Sequence, residues 1–364
     1  MDLKRVIYVC NFAANYGGNF LSSLYNVANK LSEKQSEVSF VFPDNAINKD
    51  WEVNLEQFNI EYTDFNNDVL FFNTVKKLVT DNCIIHTHFL NEKAFLKLGL
   101  ETNKLGFENV NFVYHEHMVP SIKLKYKIIG YLGDTILRNS YYIGVSPDVK
   151  RELEKLHFNN RTFLLTNGID IKRLNFEEKK IHKNNNILIF ASAYYRKGTD
   201  LAVEAINSCW LRDNVQLILV THNPVEAQSI LEKRYGLVPK FVKIVPPYKN
   251  IALLYQNSFL FLSPSRSEAF GYANLESAYS GNQVIASNIP GQSTLKNVPY
   301  ITWISKNSVS ELQKAIMDAY KNKDSDSIKQ QKLENNKFIT ANYSLDNWTI
   351  KLLEIYKKIS NIKN

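Results

Sequence analysis

Cysteine is scarce in this 364-residue chain: Cys10, Cys83 and Cys209 stand alone. That suggests neither a disulfide framework nor a cysteine-based metal site, and it fits a reducing compartment. No apolar run approaches the roughly 18 residues of a membrane-crossing helix. The apolar stretch at residues 6–12 is too short to cross and lacks the layout of a secretion signal. There is no internal repeat and no low-complexity tail, although asparagine is plentiful. No zinc finger, RNA-recognition signature or basic arm occurs, so nucleic acid is the weaker choice among anionic partners. The dinucleotide fingerprint G-x-G-x-x-G is absent too. What is present is a globular composition, 45% hydrophobic and 22% charged, at a length that suits two domains. The net charge of +8 favours phosphorylated small molecules or acidic lipid. The expected location is the cytoplasm, with the inner face of the membrane as the finer expectation.

Short apolar runs alternate with helical periodicity through both halves. Residues 5–12, 38–42, 82–88, 110–117 and 141–146 read as strands of the first half. Residues 187–191, 215–220, 241–245 and 259–262 read as strands of the second. The fold class that follows is α/β, with two doubly wound parallel sheets. The charged, asparagine-rich stretch 171–186 reads as the interdomain linker. The expected domains are residues 1–175 and 176–342, with 343–364 an amphipathic helix crossing back to the first domain.

Several loops carry residues with chemistry. The first strand runs into a loop containing Gly17 and Gly18, and a helix follows; taken alone, this is a plain turn or a phosphate site. His86 and His88 end one strand, and His115, Glu116 and His117 end another. On a strand, alternate residues share a face, so each H-x-H pair could point one way. A metal needs three or four convergent ligands, however, and no further carboxylate or cysteine cluster stands out. The expectation is therefore no metal and structural histidines. Residues 121–139 hold Lys123, Lys125, Lys127 and Arg138 among Ile, Leu and Tyr. That is either a solvated helix face or a docking face for an anionic membrane or lipid-linked phosphate. Arg196 and Lys197 sit in the loop between a strand and a helix, where cations beside a helix N-terminus suit a pyrophosphate.

The most informative stretch is 263–276. It leaves an apolar strand, turns at Pro264, Ser265 and Ser267, and becomes helical near Tyr272. Gly271 lets the backbone approach a ligand closely. Glu268 then lies in the loop at a strand's carboxyl end and Glu276 inside the next helix, at the edge where open α/β sheets bind ligands. Pro264, Ser265, Glu268, Phe270, Gly271 and Glu276 match the pattern P-S-x-x-E-x-F-G-x-x-x-x-E. The segment resembles the Glu-x7-Glu motif of retaining GT-B glycosyltransferases, specifically glycosyltransferase family 4. Residues 167–170 (NGID), the Val-Ser pair at 145–146 and Lys197-Gly198 are also similar to that family. Ser192-Ala193 replaces the Gly-Arg usual after its strand, leaving Arg196 as the nearest guanidinium.

The resemblance implies two Rossmann-like domains facing across a cleft and transfer of a sugar from a nucleotide donor with retention. It implies that Glu268, His117, Lys197 and Arg196 are catalytic. Glu276, Phe270, Gly271, Gly17, Gly18 and Ser265 would bind the donor, and His88 and His115 would face the acceptor. His115 is the alternative to His117 beside the donor sugar. No metal or other cofactor is implied. The acceptor would be a glycan or lipid-phosphate-linked glycan, as in bacterial surface polysaccharide assembly, with peripheral contact to an anionic membrane. A retaining phosphorylase, a sugar epimerase and a non-catalytic glycan-binding partner are the rivals.

Overall fold

A computed structural model describes residues 3–120, 124–157, 159–174, 185–247 and 250–361. The chain divides into two compact units: Met1–Gly168 with Leu345–Asn364, and Ile169–Ser344. Each is built on one wholly parallel sheet, which is why the strands read as near-continuous apolar runs: helices cover both faces.

In the first unit the strands are β1 (Arg5–Cys10), β2 (Glu37–Pro43), β3 (Asn59–Thr63), β4 (Cys83–His88), β5 (Asn111–Glu116), β6 (Ser140–Gly144) and β7 (Thr162–Leu164). Their order is β3-β2-β1-β4-β5-β6-β7, so the winding reverses between β1 and β4. Helix Gly18–Glu33 buries Leu21, Leu24, Val27, Ala28 and Leu31, the face its sequence spacing defines. The last helix, Leu345–Asn361, adds Trp348, Leu352, Ile355, Tyr356 and Ile359 to the same core. Asn26 Nδ2 donates to Thr349 Oγ1 at 2.9 Å, fixing this helix against Gly18–Glu33.

In the second unit the strands are β8 (Asn186–Phe190), β9 (Gln216–Val220), β10 (Val242–Val245), β11 (Leu260–Ser263), β12 (Gln283–Ser287) and β13 (Ile301–Ile304). The order is β10-β9-β8-β11-β12-β13, with the reversal between β8 and β11. The loops leaving β8 and β11 therefore flank the switch point, where open sheets of this kind leave a crevice for ligands.

Helix Asp326–Tyr343 has no counterpart in the sequence reading. It buries only Asn335, Ile339 and Tyr343, too sparse an apolar stripe to show a period. The basic stretch expected at 121–139 forms helix Leu124–Ile136, in which Asp134 is buried. Lys123 and the side chain of Lys125 lie outside the described residues, as do 175–184 of the expected linker.

Candidate functional site

The loops after β8 and β11 are tied together before any ligand is considered. Gly198 has φ +69°, and a Cβ there would lie 2.0 Å from the Pro264 carbonyl oxygen, so only glycine lets the two loops approach this closely. The Arg266 guanidinium donates two hydrogen bonds of 2.8 Å to the Asp200 carboxylate, and the Arg266 N–H donates to the Arg196 carbonyl at 2.8 Å. Such a forked pair fixes direction as well as distance.

This frame holds Glu268. Lys197 Nζ donates to Glu268 Oε1 at 2.5 Å, Ser265 Oγ donates to the same oxygen at 3.0 Å, and Arg196 Nη1 lies 3.8 Å from Oε2. Arg196 Nη1 also donates to the Ser267 carbonyl at 3.1 Å. The Glu268 side chain keeps 12% of its surface exposed, Lys197 26% and Arg196 50%, so two cations and a carboxylate meet at an accessible edge. Ser265 is fully buried; its hydroxyl positions Glu268 and faces no solvent. Phe270 is buried as well, against Tyr272 and Tyr343.

Helix Tyr272–Tyr279 starts at Gly271 with no side-chain cap. Uncapped N–H groups at a helix start suit an anion. Beside Gly271 lie the amides of Asn274 and Gln292, buried and without hydrogen-bond partners among the described residues. Glu276 is buried one helical turn further on. Tyr255 OH donates to its Oε2 at 2.7 Å, and Arg173 Nη1 lies 3.8 Å from its Oε1. Burial raises the Tyr255 phenol well above its ordinary value, and the Glu276 carboxylate adds to the shift. Sequence reading missed Tyr255, Arg173, Asn274 and Gln292. Arg173 follows the 167–170 segment and Tyr255 sits in the short helix before β11, but neither carries a motif that points to Glu276.

The first unit gathers its candidates at the ends of β1, β4 and β5. Gly17 and Gly18 open helix Gly18–Glu33, and a Cβ at Gly18 would meet nothing within 4 Å. The sequence leaves open whether the two H-x-H pairs meet; in the structure they do. β4 and β5 are neighbours with His88 opposite His115, so the two H-x-H pairs fall on one face and converge. The ring centroids of His86 and His88 are 4.3 Å apart, those of His88 and His115 4.9 Å, and those of His115 and His117 4.6 Å. His86 Nδ1 lies 2.6 Å from Tyr356 OH, which donates to Tyr8 OH at 3.0 Å, so His86 Nδ1 carries a proton and Nε2 accepts. His86 Nε2 meets His115 Nδ1 at 3.2 Å, and His88 Nδ1 meets His117 Nε2 at 2.9 Å. Burial holds the pKa of His86, His88 and His115 well below the usual imidazole value, with neighbouring imidazoles adding to the effect. Burial also lowers His117 to about 3. All four rings are neutral near pH 7.

Residues 170–338 match the family model described as glycosyl transferases group 1. An uncharacterized glycosyltransferase of Methanocaldococcus jannaschii, MJ1178, is 23% identical over 292 residues, 76% of each chain. A glycosyltransferase structure from Rickettsia africae superposes with a TM-score of 0.82 at 20% identity, covering 100% of both chains. Anabaena Alr3699/HepE in complex with UDP gives 0.78 at 15% identity, covering 97% of this chain and 100% of that one. With its two parallel sheets the chain has the GT-B glycosyltransferase fold, and the match to the glycosyl transferases group 1 model lies within its second unit.

Proposed function

We propose that the protein is a retaining glycosyltransferase of family 4 that moves a sugar from a nucleotide-sugar donor to a glycan or lipid-linked glycan. The observation that carries this reading is the Lys197–Glu268–Arg196 cluster, set on the loops that flank the β8/β11 switch point inside the region matched by the family. Glu276, oriented by Tyr255, accepts from the ribose hydroxyls. Glu268 contacts the hydroxyls of the donor sugar. Lys197 and Arg196, with the uncapped start of helix Tyr272–Tyr279, receive the diphosphate. Their charge opposes the negative charge that grows on the leaving group as the glycosidic bond breaks. In this reading cations and a helix end meet the diphosphate without a metal. That the similar Anabaena structure holds UDP supports a uridine nucleotide as the first donor to try.

For the acceptor, helix Leu124–Ile136 leaves Tyr131, Leu132 and Ile136 exposed, with Met118 and Val119 exposed just before it. Apolar side chains beside Lys127 and Arg138 suit the surface of an anionic membrane carrying a lipid-linked acceptor.

A thermal-shift screen against UDP-, GDP- and TDP-sugars identifies the donor, and hydrolysis or transfer from it is then measured. Lys197→Ala should lower turnover by about 100- to 1,000-fold, the scale of losing a donor to a developing oxyanion. The urea midpoint should stay near that of the parent, because the residue is on the surface edge. Wild-type turnover in this variant would remove the reading, and NMR of the product anomer tests retention.

A further inference from the structure

We propose that His86, His88 and His115 form a binding site for one first-row transition-metal ion of the kind imidazole accepts, with Zn²⁺ as the probe. One ring nitrogen from each lies within 4.8 Å of those from the other two. The site is built from side chains of the first unit and does not depend on the proposed function.

A second observation points the same way. His88 is 1% exposed, yet its Nε2 atom has no hydrogen-bond partner among the described residues. A buried polar atom left in this state costs about 1–3 kcal/mol. Apolar side chains would fill the same space without that cost, so the orphaned His88 nitrogen calls for a ligand.

The sheet pre-arranges the set. Cys10, His88 and His115 are register partners on the adjacent strands β1, β4 and β5, and His86 is two residues before His88 on the same face. The His86 Nε2 to His115 Nδ1 separation of 3.2 Å already matches a tetrahedral edge, about 3.3 Å for metal–nitrogen bonds of about 2.0–2.1 Å. All three nitrogens lie within 4.8 Å of one another, so any closing on loading is a small movement of the rings. His86 presents the outer support that metal-bound imidazoles usually have: its Nδ1–H donates to Tyr356, and Tyr356 donates to Tyr8. That chain fixes the tautomer and leaves Nε2 as an acceptor. Neutral imidazoles with no carboxylate select zinc, copper or nickel over magnesium or calcium. The fourth position falls to the buried thiol of Cys10, while His117 Nε2, 2.9 Å from His88 Nδ1, supports the His88 ring from behind. Such an ion joins β4 to β5 and, through Tyr356, to the last helix, as a closed structural site does.

The test uses the full-length, tag-free chain after treatment with a chelator. Calorimetric titration with Zn²⁺ should show one ion per chain with a dissociation constant on the order of micromolar or tighter, and a rise in melting temperature. His88→Gln and His115→Gln should each weaken binding by at least about 100-fold, beyond the range seen on losing an outer-shell partner. His222→Gln, at an exposed histidine of the other unit, should leave it unchanged. Where the ligand variants do not fold, Co²⁺ titrated into the parent chain decides. Strong visible absorption from a four-coordinate, nitrogen-bound ion supports the site. The weak spectrum of aqueous Co²⁺, or Zn²⁺ binding that survives His88→Gln/His115→Gln, overturns it.

Discussion

At the scale of single residues, the geometry around Glu268 depends on what is missing beside it. Gly291 has φ +86°, and a Cβ on it would lie 1.9 Å from the Glu268 carbonyl oxygen. No side chain can move aside to admit it, because the obstacle is backbone. Gly291→Ala therefore combines a left-handed conformation, costing about 1–2 kcal/mol, with a displaced Glu268 loop. The expected result is a loss of at least about 2 kcal/mol in urea unfolding of the second unit, together with lower turnover. Unchanged unfolding would show that the loop does not rest on this glycine. The physical role of Gly291 is not legible in its own segment, because it needs the neighbouring loop. The same holds for Glu276. Its place in the motif is local and readable, whereas Tyr255, 21 residues before it, meets it only after β11 and the following helix have formed.

At the scale of elements, the strand-end loops were readable because the change from apolar run to turn chemistry to helix is a local signal. The four-histidine cluster was not. Each H-x-H pair is visible, but their meeting follows from β4 and β5 being adjacent and from His88 standing opposite His115. Register of that kind is set by the whole sheet. The last helix shows a similar dependence on distant packing. Trp348, Leu352, Ile355, Tyr356 and Ile359 are buried in a core shared with β1, β2, β4, β5, β6 and helix Gly18–Glu33. Each such side chain contributes about 1.5–3 kcal/mol, so the set rivals the 5–15 kcal/mol that typically stabilises an entire domain. Ending the chain at Ser344 should leave the first unit unfolded while residues 169–344 keep their own core. Limited proteolysis should then give a resistant fragment near 169–344 and degrade the rest. A truncated chain that resists protease throughout, with the parent's urea transition, would show that the first unit closes without its final helix.

At the scale of the whole molecule, the two units carry unequal numbers of histidines. The first holds His86, His88, His115, His117 and His157, and the second only His182 and His222. Burial keeps the first four neutral, with His117 at about 3. In the unfolded chain each takes up a proton below about pH 6.5. The unfolded state then binds more protons than the folded one, so stability is lost as pH falls through 6.5 and the loss continues towards the folded values. The slope is about 1.4 kcal/mol per pH unit for each histidine. The groups packed around the cluster do not reverse this. Burial raises the Tyr8 and Tyr356 phenols and the Cys10 thiol, which stay protonated throughout this range. Glu92 and Glu116 are raised by burial and act in the opposite sense, but from the carboxylate range upward and as two groups against four. In chelator-treated protein the first unit should therefore unfold before the second on going from pH 7.5 to 5.5. Tryptophan can report this by unit, since Trp51 and Trp348 lie in the first and Trp210 and Trp303 in the second. In a Trp210→Phe/Trp303→Phe variant the urea midpoint should fall steeply over that interval. In a Trp51→Phe/Trp348→Phe variant it should fall little, and equal shifts in both would show that the buried histidines do not govern acid stability.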